Sequence, residues 1–295
     1  KERTSMKINL RPEDGSFTTD TGLAGNMALK HFEGLLAGAS SSSFQRDVTD
    51  SGGLLNSLPL LVSSSDNVCL SSVPQEEEVR ESLLSMPVDS APGPDGFPVS
   101  FYKASWELVG LQVVEAVQDF FVGGSLNKGI SSSRVFLIPK IKNPTLIQHF
   151  WPICLCNVSY KILAMVIGRI IARIIPKVIS KEQHGFIKGR NIQGSIGIAS
   201  ELVHDINKRT VGSNVIFQMD MNKVYDNIEW SFIIRVMRKV GFLDWFCDIC
   251  FRCYSSPWLS ISLMGKRFGY FKSVRGVRQG DPLSPFLFVL AQDAL

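Results

Sequence analysis

The sequence predicts an α+β fold, and three observations carry that prediction. Apolar residues recur at helical spacing in several long segments, short apolar runs bounded by turn residues read as strands, and the two kinds mix without a regular strand–helix–strand repeat. At 295 residues and 45% hydrophobic content, the chain can bury one large core or two smaller ones.

Residues 1–72 are rich in Ser, Gly and Asp, with serine runs at Ser40–Ser43 and Ser63–Ser65. They read as a low-complexity connector, partly disordered, that carries one short helix over Met27–Leu36. The folded domain is expected over 73–295. It opens at Ser72-Val73-Pro74-Gln75, a capping-box pattern, and Val79, Leu83 and Met86 then recur at helical spacing until Pro87 breaks it. Ala91-Pro92-Gly93-Pro94-Asp95-Gly96 is a dense turn signal. Val109, Val113, Val117 and Phe120 next share a helix face that Gly123-Gly124 stops.

Val135–Ile138 is a short strand ended by Pro139. Leu163, Val166, Ile167, Ile170 and Ile174 form a stripe that Lys161, Arg169, Arg173 and Lys177 interrupt, so this helix packs in a core and no membrane crossing is expected. Asn214–Asp220 reads as a strand ending on a carboxylate. Trp230–Val240 is a helix closed by Gly241, and a second helix covers Asp244–Tyr254. Trp258–Leu263, the turn Met264-Gly265-Lys266 and Phe268–Val274 form a hairpin that runs into a loop at Arg278-Gln279-Gly280. The chain starts at Lys1 and ends in an apolar pattern without a stop signal, so both ends read as cuts.

Six cysteines with no secretory leader point to reduced thiols in an intracellular compartment. Cys247, Cys250 and Cys253 stack on one helical face. They read as buried thiols before zinc ligands, because a structural zinc needs a fourth donor and none is near in sequence. The net charge of +4 hides an asymmetry. Ile130–Asn191 holds ten Lys or Arg against Glu182 alone, a net +9, whereas residues 1–75 hold six basic and eight acidic side chains, a net −2. Such a block suits a polyanion partner; the plainer reading is a solvated polar face.

Along the 214–220 strand Ile216, Gln218 and Asp220 point one way and Val215, Phe217 and Met219 the other. A carboxylate at such a strand end can hold Mg²⁺, and it can equally cap a helix or form a turn. Asp226 lies just before the Glu229-Trp230 helix start, where an N-terminal helix position is as good a reading as a catalytic one. In Arg278-Gln279-Gly280-Asp281-Pro282-Leu283-Ser284-Pro285 a glycine allows close backbone approach and a helix begins at about Pro282, a form that suits contact with a nucleotide or template backbone.

Taken together, these residues resemble the reverse transcriptase domain of non-LTR (LINE-type) retrotransposons, especially those abundant in plant genomes, from about Ser72 to Leu295. The matching stretches are Ala91–Phe97, Leu137–Lys140, Pro152–Asn157, Gln183–Arg190, Gln218–Trp230 and Arg275–Leu290, six blocks in the family's order. The resemblance implies a right-hand polymerase fold, here fingers and a partial palm. It implies Asp220 as the first metal-binding aspartate, Tyr225 beneath the incoming sugar, Lys140 on nucleotide phosphates, and Gln279 and Gly280 against nucleotide and template. Lys161, Arg169, Lys188, Arg190 and Arg278 become nucleic-acid contacts. Two Mg²⁺ ions, an RNA template, a DNA primer, deoxynucleotides and a nuclear location are the cofactor, partners and setting that follow.

Three departures from the family pattern stand out. Trp151 replaces an arginine, Val224 stands where alanine is common, and the Tyr-Ala-Asp-Asp hairpin with the remaining aspartates is expected beyond Leu295, Asp293 being no substitute. The expectation is therefore a polymerase fragment unable to polymerise as it stands. The alternatives are a non-enzymatic RNA-binding scaffold that uses the 130–191 block, and an intron-encoded maturase.

Overall fold

The frame of the molecule is a four-stranded mixed sheet, seen in a computed structural model that describes residues 10, 18–37, 53–206, 208, 214–218 and 223–295. Strand β1 (Ser133–Pro139) pairs antiparallel with β2 (Phe150–Cys156) and parallel with β3 (Trp258–Leu263), and β3 turns back into β4 (Lys266–Lys272), giving the order β2-β1-β3-β4. Met264 and Gly265, with φ of 51° and 76°, make the two-residue left-handed turn that matches strand twist, and Leu263 faces Lys266 across it. Pro152 can sit in β2 because β2 is an edge strand, where one missing N–H breaks no ladder.

Helix α1 (Thr21–Leu36) precedes the sheet in sequence and packs on β3 and β4. Asp20 caps it through Gly22 N at 2.6 Å and Leu23 N at 3.1 Å. The ring of Phe268 fills the space where a side chain at Gly25 would lie. The short connector helix expected at 27–36 is therefore a sixteen-residue helix that buries Ala24, Ala28 and Phe32 in the main core.

Helices α2 (Ser64–Leu70) and α3 (Glu76–Leu84) follow. The serine run read as low complexity in fact caps α2: Ser63 N donates to Asp66 Oδ2 at 2.9 Å and Asp66 N to Ser63 Oγ at 3.2 Å. The cap of α3 is Gln75, three residues after the expected Ser72, with Gln75 N donating to Glu78 at 3.3 Å. Next come α4 (Val99–Ala104), α5 (Trp106–Phe121) and α6 (Lys128–Ser131), α5 burying Val117, Phe120 and Phe121.

Helix α7 (Val158–Ala172) runs through the middle of the core, with ten residues buried, as its nearly all-round apolar surface requires. Asn157 at its start ties three segments together. Its Oδ1 accepts from Asp95 N at 3.1 Å and its Nδ2 donates to Gly129 O at 2.6 Å, which fixes the 91–96 turn against the approach to β1. After α8 (Ile175–Val178) comes α9 (Ile192–Asp205), which the sequence reading did not anticipate and which buries none of its residues. The strand expected at 214–220 is not in the sheet over its described part. Residues 214–218 carry no strand pairing, and Val215, Ile216 and Phe217 are exposed. Alternating apolar residues make a strand only where a neighbour takes up their backbone hydrogen bonds. Helices α10 (Val224–Asn227), α11 (Trp230–Val240), α12 (Asp244–Ser255) and α13 (Ser284–Asp293) complete the chain, α11 closing at Gly241 as the sequence indicated. The chain thus mixes many helices with one four-stranded mixed sheet.

Candidate nucleotide site

The loop 274–281 organises the site. Gly276, at φ 80°, lies so close to α10 that a Cβ there would meet Asp226 O at 2.8 Å. That approach lets Gly276 N donate to Ile228 O at 2.8 Å and Val277 N to Tyr225 O at 2.7 Å, while Trp230 Nε1 donates to Gly276 O at 2.7 Å. Two residues on, Gln279 O accepts from Cys154 N at 2.8 Å, which lays the loop along β2. Gly280, at φ 103°, completes the bend, because a Cβ would meet Cys154 O at 2.6 Å.

Beneath the loop Arg278 is buried. Its guanidinium pairs with Asp281, bonds the Tyr160 hydroxyl, and donates to Tyr254 O at 2.8 Å. Tyr160 in turn donates to Asp281 at 2.7 Å, and Asp281 accepts from Leu283 N at 2.9 Å at the entry to α13. Arg278, expected to meet nucleic acid, thus faces the interior and anchors the loop.

Above the loop is a polar cavity of about 180 Å³. Lys140 enters from the end of β1, where its N–H donates to His149 O at 2.8 Å. Trp151 and Pro152 of β2, Gln148, Lys223 and Asp226 at α10, and Gln279 of the loop share the lining, with His31, Phe32 and Leu35 of α1 closing it. Burial pushes the Asp226 carboxyl above its ordinary value against the opposing pull of Lys223 and Lys140. Burial, helped by Lys223, pushes the His31 imidazole below its ordinary value. Lys223 holds a left-handed backbone at φ 50°, uncommon for a residue with a side chain. Two lysines, one half-buried carboxyl and two amides around a small opening suit a phosphate-bearing ligand, since each lysine offsets anionic charge and each amide can bond oxygen.

The other expected site residues are dispersed. Tyr225 is half-buried and stacked on Phe288 at 4.3 Å and 18°, outside the cavity lining. Gly280 is exposed at the bend. Lys161 donates to Ala91 O at 3.0 Å and Arg169 pairs with Glu81 at 2.5 Å. Arg190 donates to the carbonyls of Ser180, Gln183, Pro176 and Ile179 and so closes the turn after α8, whereas Lys188 is exposed. Asp220 lies outside the described residues. Among the described residues no group of three His, Cys, Asp or Glu is placed to hold a metal ion, and Asp226 is the one described carboxylate on the cavity. These donors fall short of a two-cation cradle. Five of the six cysteines are buried and Cys69 is exposed; burial raises the Cys247 thiol to about 11 and Cys253 to about 12.

Sequence reasoning missed His31, Gln148 and Lys223. Lys223 sits three residues before Asp226 in a stretch already singled out, and that proximity was the available signal. His31 had none, because it reaches the site through tertiary packing.

The family described as reverse transcriptase (RNA-dependent DNA polymerase) matches residues 138–295, more than half of the chain. The Transposon TX1 uncharacterized 149 kDa protein of Xenopus laevis is 26% identical over 215 residues, 73% of this chain and 16% of the relative. The Pol polyprotein from type-2 retrotransposable element R2DM of Drosophila melanogaster is 28% identical over 220 residues, 75% of this chain and 20% of the relative. A Pol polyprotein from type-1 retrotransposable element R2 of Nasonia vitripennis is 23% identical over 210 residues, 70% of this chain and 19% of the relative. The chain therefore spans a fifth or less of the length of these relatives. No helix among the described residues is long and apolar enough to cross a membrane. With the family model covering more than half of it, the chain belongs to the reverse transcriptase family, with non-LTR retrotransposon proteins as its relatives.

Proposed function

We propose that this chain carries the fingers and part of the palm of an RNA-directed DNA polymerase, and that the cavity between Lys140, Lys223, Asp226 and Gln279 receives the phosphate end of a deoxynucleoside triphosphate. The observation that supports this reading is convergence: groups from three separate segments of the chain, at 140, at 223 and 226, and at 279, line one small polar opening. Lys140 and Lys223 neutralise phosphate charge, the Gln279 amide bonds the nucleotide, and Gly280 gives the template backbone close approach. Tyr225 lies beneath the sugar. Asp220 is the proposed holder of Mg²⁺, which on binding would supply charge neutralisation at the α-phosphate attacked by a primer 3′-hydroxyl. RNA template and DNA primer are the proposed partners, and the nucleus the setting.

Trp151 supports a weakened site in this chain. It is exposed on the cavity wall, where an indole brings no charge to a phosphate. The basic block supports the scaffold alternative less than its net charge suggests, because Arg169, Arg173 and Lys177 of that block are ion-paired to Glu81, Glu78 and Asp66. Calorimetric titration with Mg²⁺ and a deoxynucleoside triphosphate tests the reading. Lys140→Ala and Gln279→Ala each weaken binding roughly tenfold, Trp151→Arg tightens it, and chelation of Mg²⁺ lowers affinity in all of them. No binding at millimolar nucleotide by the parent chain sinks the proposal.

A further inference from the structure

Helix α1 lies far outside the 138–295 segment that the family match covers, yet it forms a wall of the cavity. Its seat is built at both ends of the contact. Phe268 packs into the space left by Gly25, and the side chain of Leu29 occupies the space beside Gly269, so helix and hairpin interlock through two glycines. At its C-terminus, where helix carbonyls lack partners within the helix, Leu36 O accepts from Val274 N at 2.8 Å and Leu35 O from Arg275 Nε at 2.8 Å. Both donors belong to the loop that carries Gln279. The helix is thus tied to the loop of the nucleotide site.

One turn before this tie His31 lines the cavity, its ring edge-on to Phe32 at 5.2 Å, with neither ring nitrogen hydrogen-bonded among the described residues. A neutral imidazole offers one donor and one acceptor. Of the other polar groups nearby, Lys140, Lys223, Gln148 and Gln279 favour an anion against the single carboxyl of Asp226, and an imidazole donor adds to that preference. We infer that α1 is a working wall of the nucleotide cavity and that His31 is a binding residue that donates a hydrogen bond to the phosphate end of the incoming deoxynucleoside triphosphate. This rests on the reading of the cavity as a nucleotide site. Burial first, and the Lys223 charge second, now disfavour the imidazolium; a bound phosphate offsets the Lys223 part.

The test uses the 295-residue chain with inorganic tripolyphosphate and with Mg²⁺-dATP as probes, binding read by calorimetry and folding by thermal melting. His31→Ala weakens both probes about tenfold with an unchanged melting temperature, and His31→Gln, which keeps an N–H donor, recovers most of the affinity. In the parent chain the His31 ring resonances shift on addition of tripolyphosphate. Parent-like binding by His31→Ala, with Lys140→Ala weakened, overturns the role of His31 and leaves the nucleotide site standing. If the parent chain binds neither probe, the nucleotide site falls, and this role with it. If His31→Ala melts early, the ring resonances decide, and unshifted resonances in a chain that binds the probe overturn the inference.

Discussion

Arg278 shows that a motif can mark a residue without fixing where its side chain points. Its motif suggested an exposed cation facing nucleic acid, but the residue is 8% exposed and its guanidinium is committed to Asp281, Tyr160 and the Tyr254 carbonyl. A charge this deep is tolerable because its partners replace water, and losing one partner strands the other. Asp281→Asn keeps the shape and removes the charge, so it is expected to cost about 3 kcal/mol or more in denaturant unfolding. A loss below about 1 kcal/mol would show that the cluster does not hold the loop. The sequence pattern could mark the 278–285 block but not the direction of its side chains, since orientation is set by α7 and α12, each more than twenty residues away in the chain.

At the scale of elements, legibility followed local signal. The hairpin, α5, α7, α11 and α12 announced themselves through period, turn glycines and stops, and the structure has them within a few residues of their expected bounds. β2 was hidden by Pro152, which argues against a strand unless the strand is known to be an edge. α9 was hidden because Gly194 and Gly197 weaken its propensity and none of its side chains is buried to mark a face. The seat of α1 was invisible, since it depends on glycines at 25 and 269 meeting Phe268 and Leu29 across more than two hundred residues. Of the cavity lining, Lys140 and Gln279 were marked by their sequence blocks, whereas Lys223 and His31 are brought to the cavity only by the fold. Phe268→Ala is expected to lower stability by about 2 kcal/mol, the ring being partly exposed, and to leave the amides of 21–36 as the first to exchange with deuterium. Unchanged protection of α1 would show that Phe268 does not seat it.

Over the whole molecule, folding redistributes the charge that the sequence displays. The basic segment 130–191 meets the acidic faces of α2 and α3, with Arg169, Arg173 and Lys177 paired at 2.5, 2.9 and 2.6 Å to Glu81, Glu78 and Asp66. The Lys177 contact, with Ser63, holds the Asp66 carboxyl down at about 2. Exposed pairs of this kind add little stability, but they remove cations from the surface that RNA could use. Lys140 and Lys188 remain solvated. Lys140→Glu with Lys188→Glu is therefore expected to weaken single-stranded RNA binding more than Arg169→Glu with Arg173→Glu, and to reduce the log–log salt slope by about 1.4 for two lost phosphate contacts. Equal losses from the two double variants would defeat that expectation. A mechanical consequence lies in the close passage of Gly276 along α10. The bonds from Gly276 and Val277 to the carbonyls of Ile228 and Tyr225 join the segment bearing Gln279 to the one bearing Asp226 as a single stiff bracket. Whatever seats against the glutamine sets the bearing of the carboxylate in the same stroke, so that fit and alignment are one event.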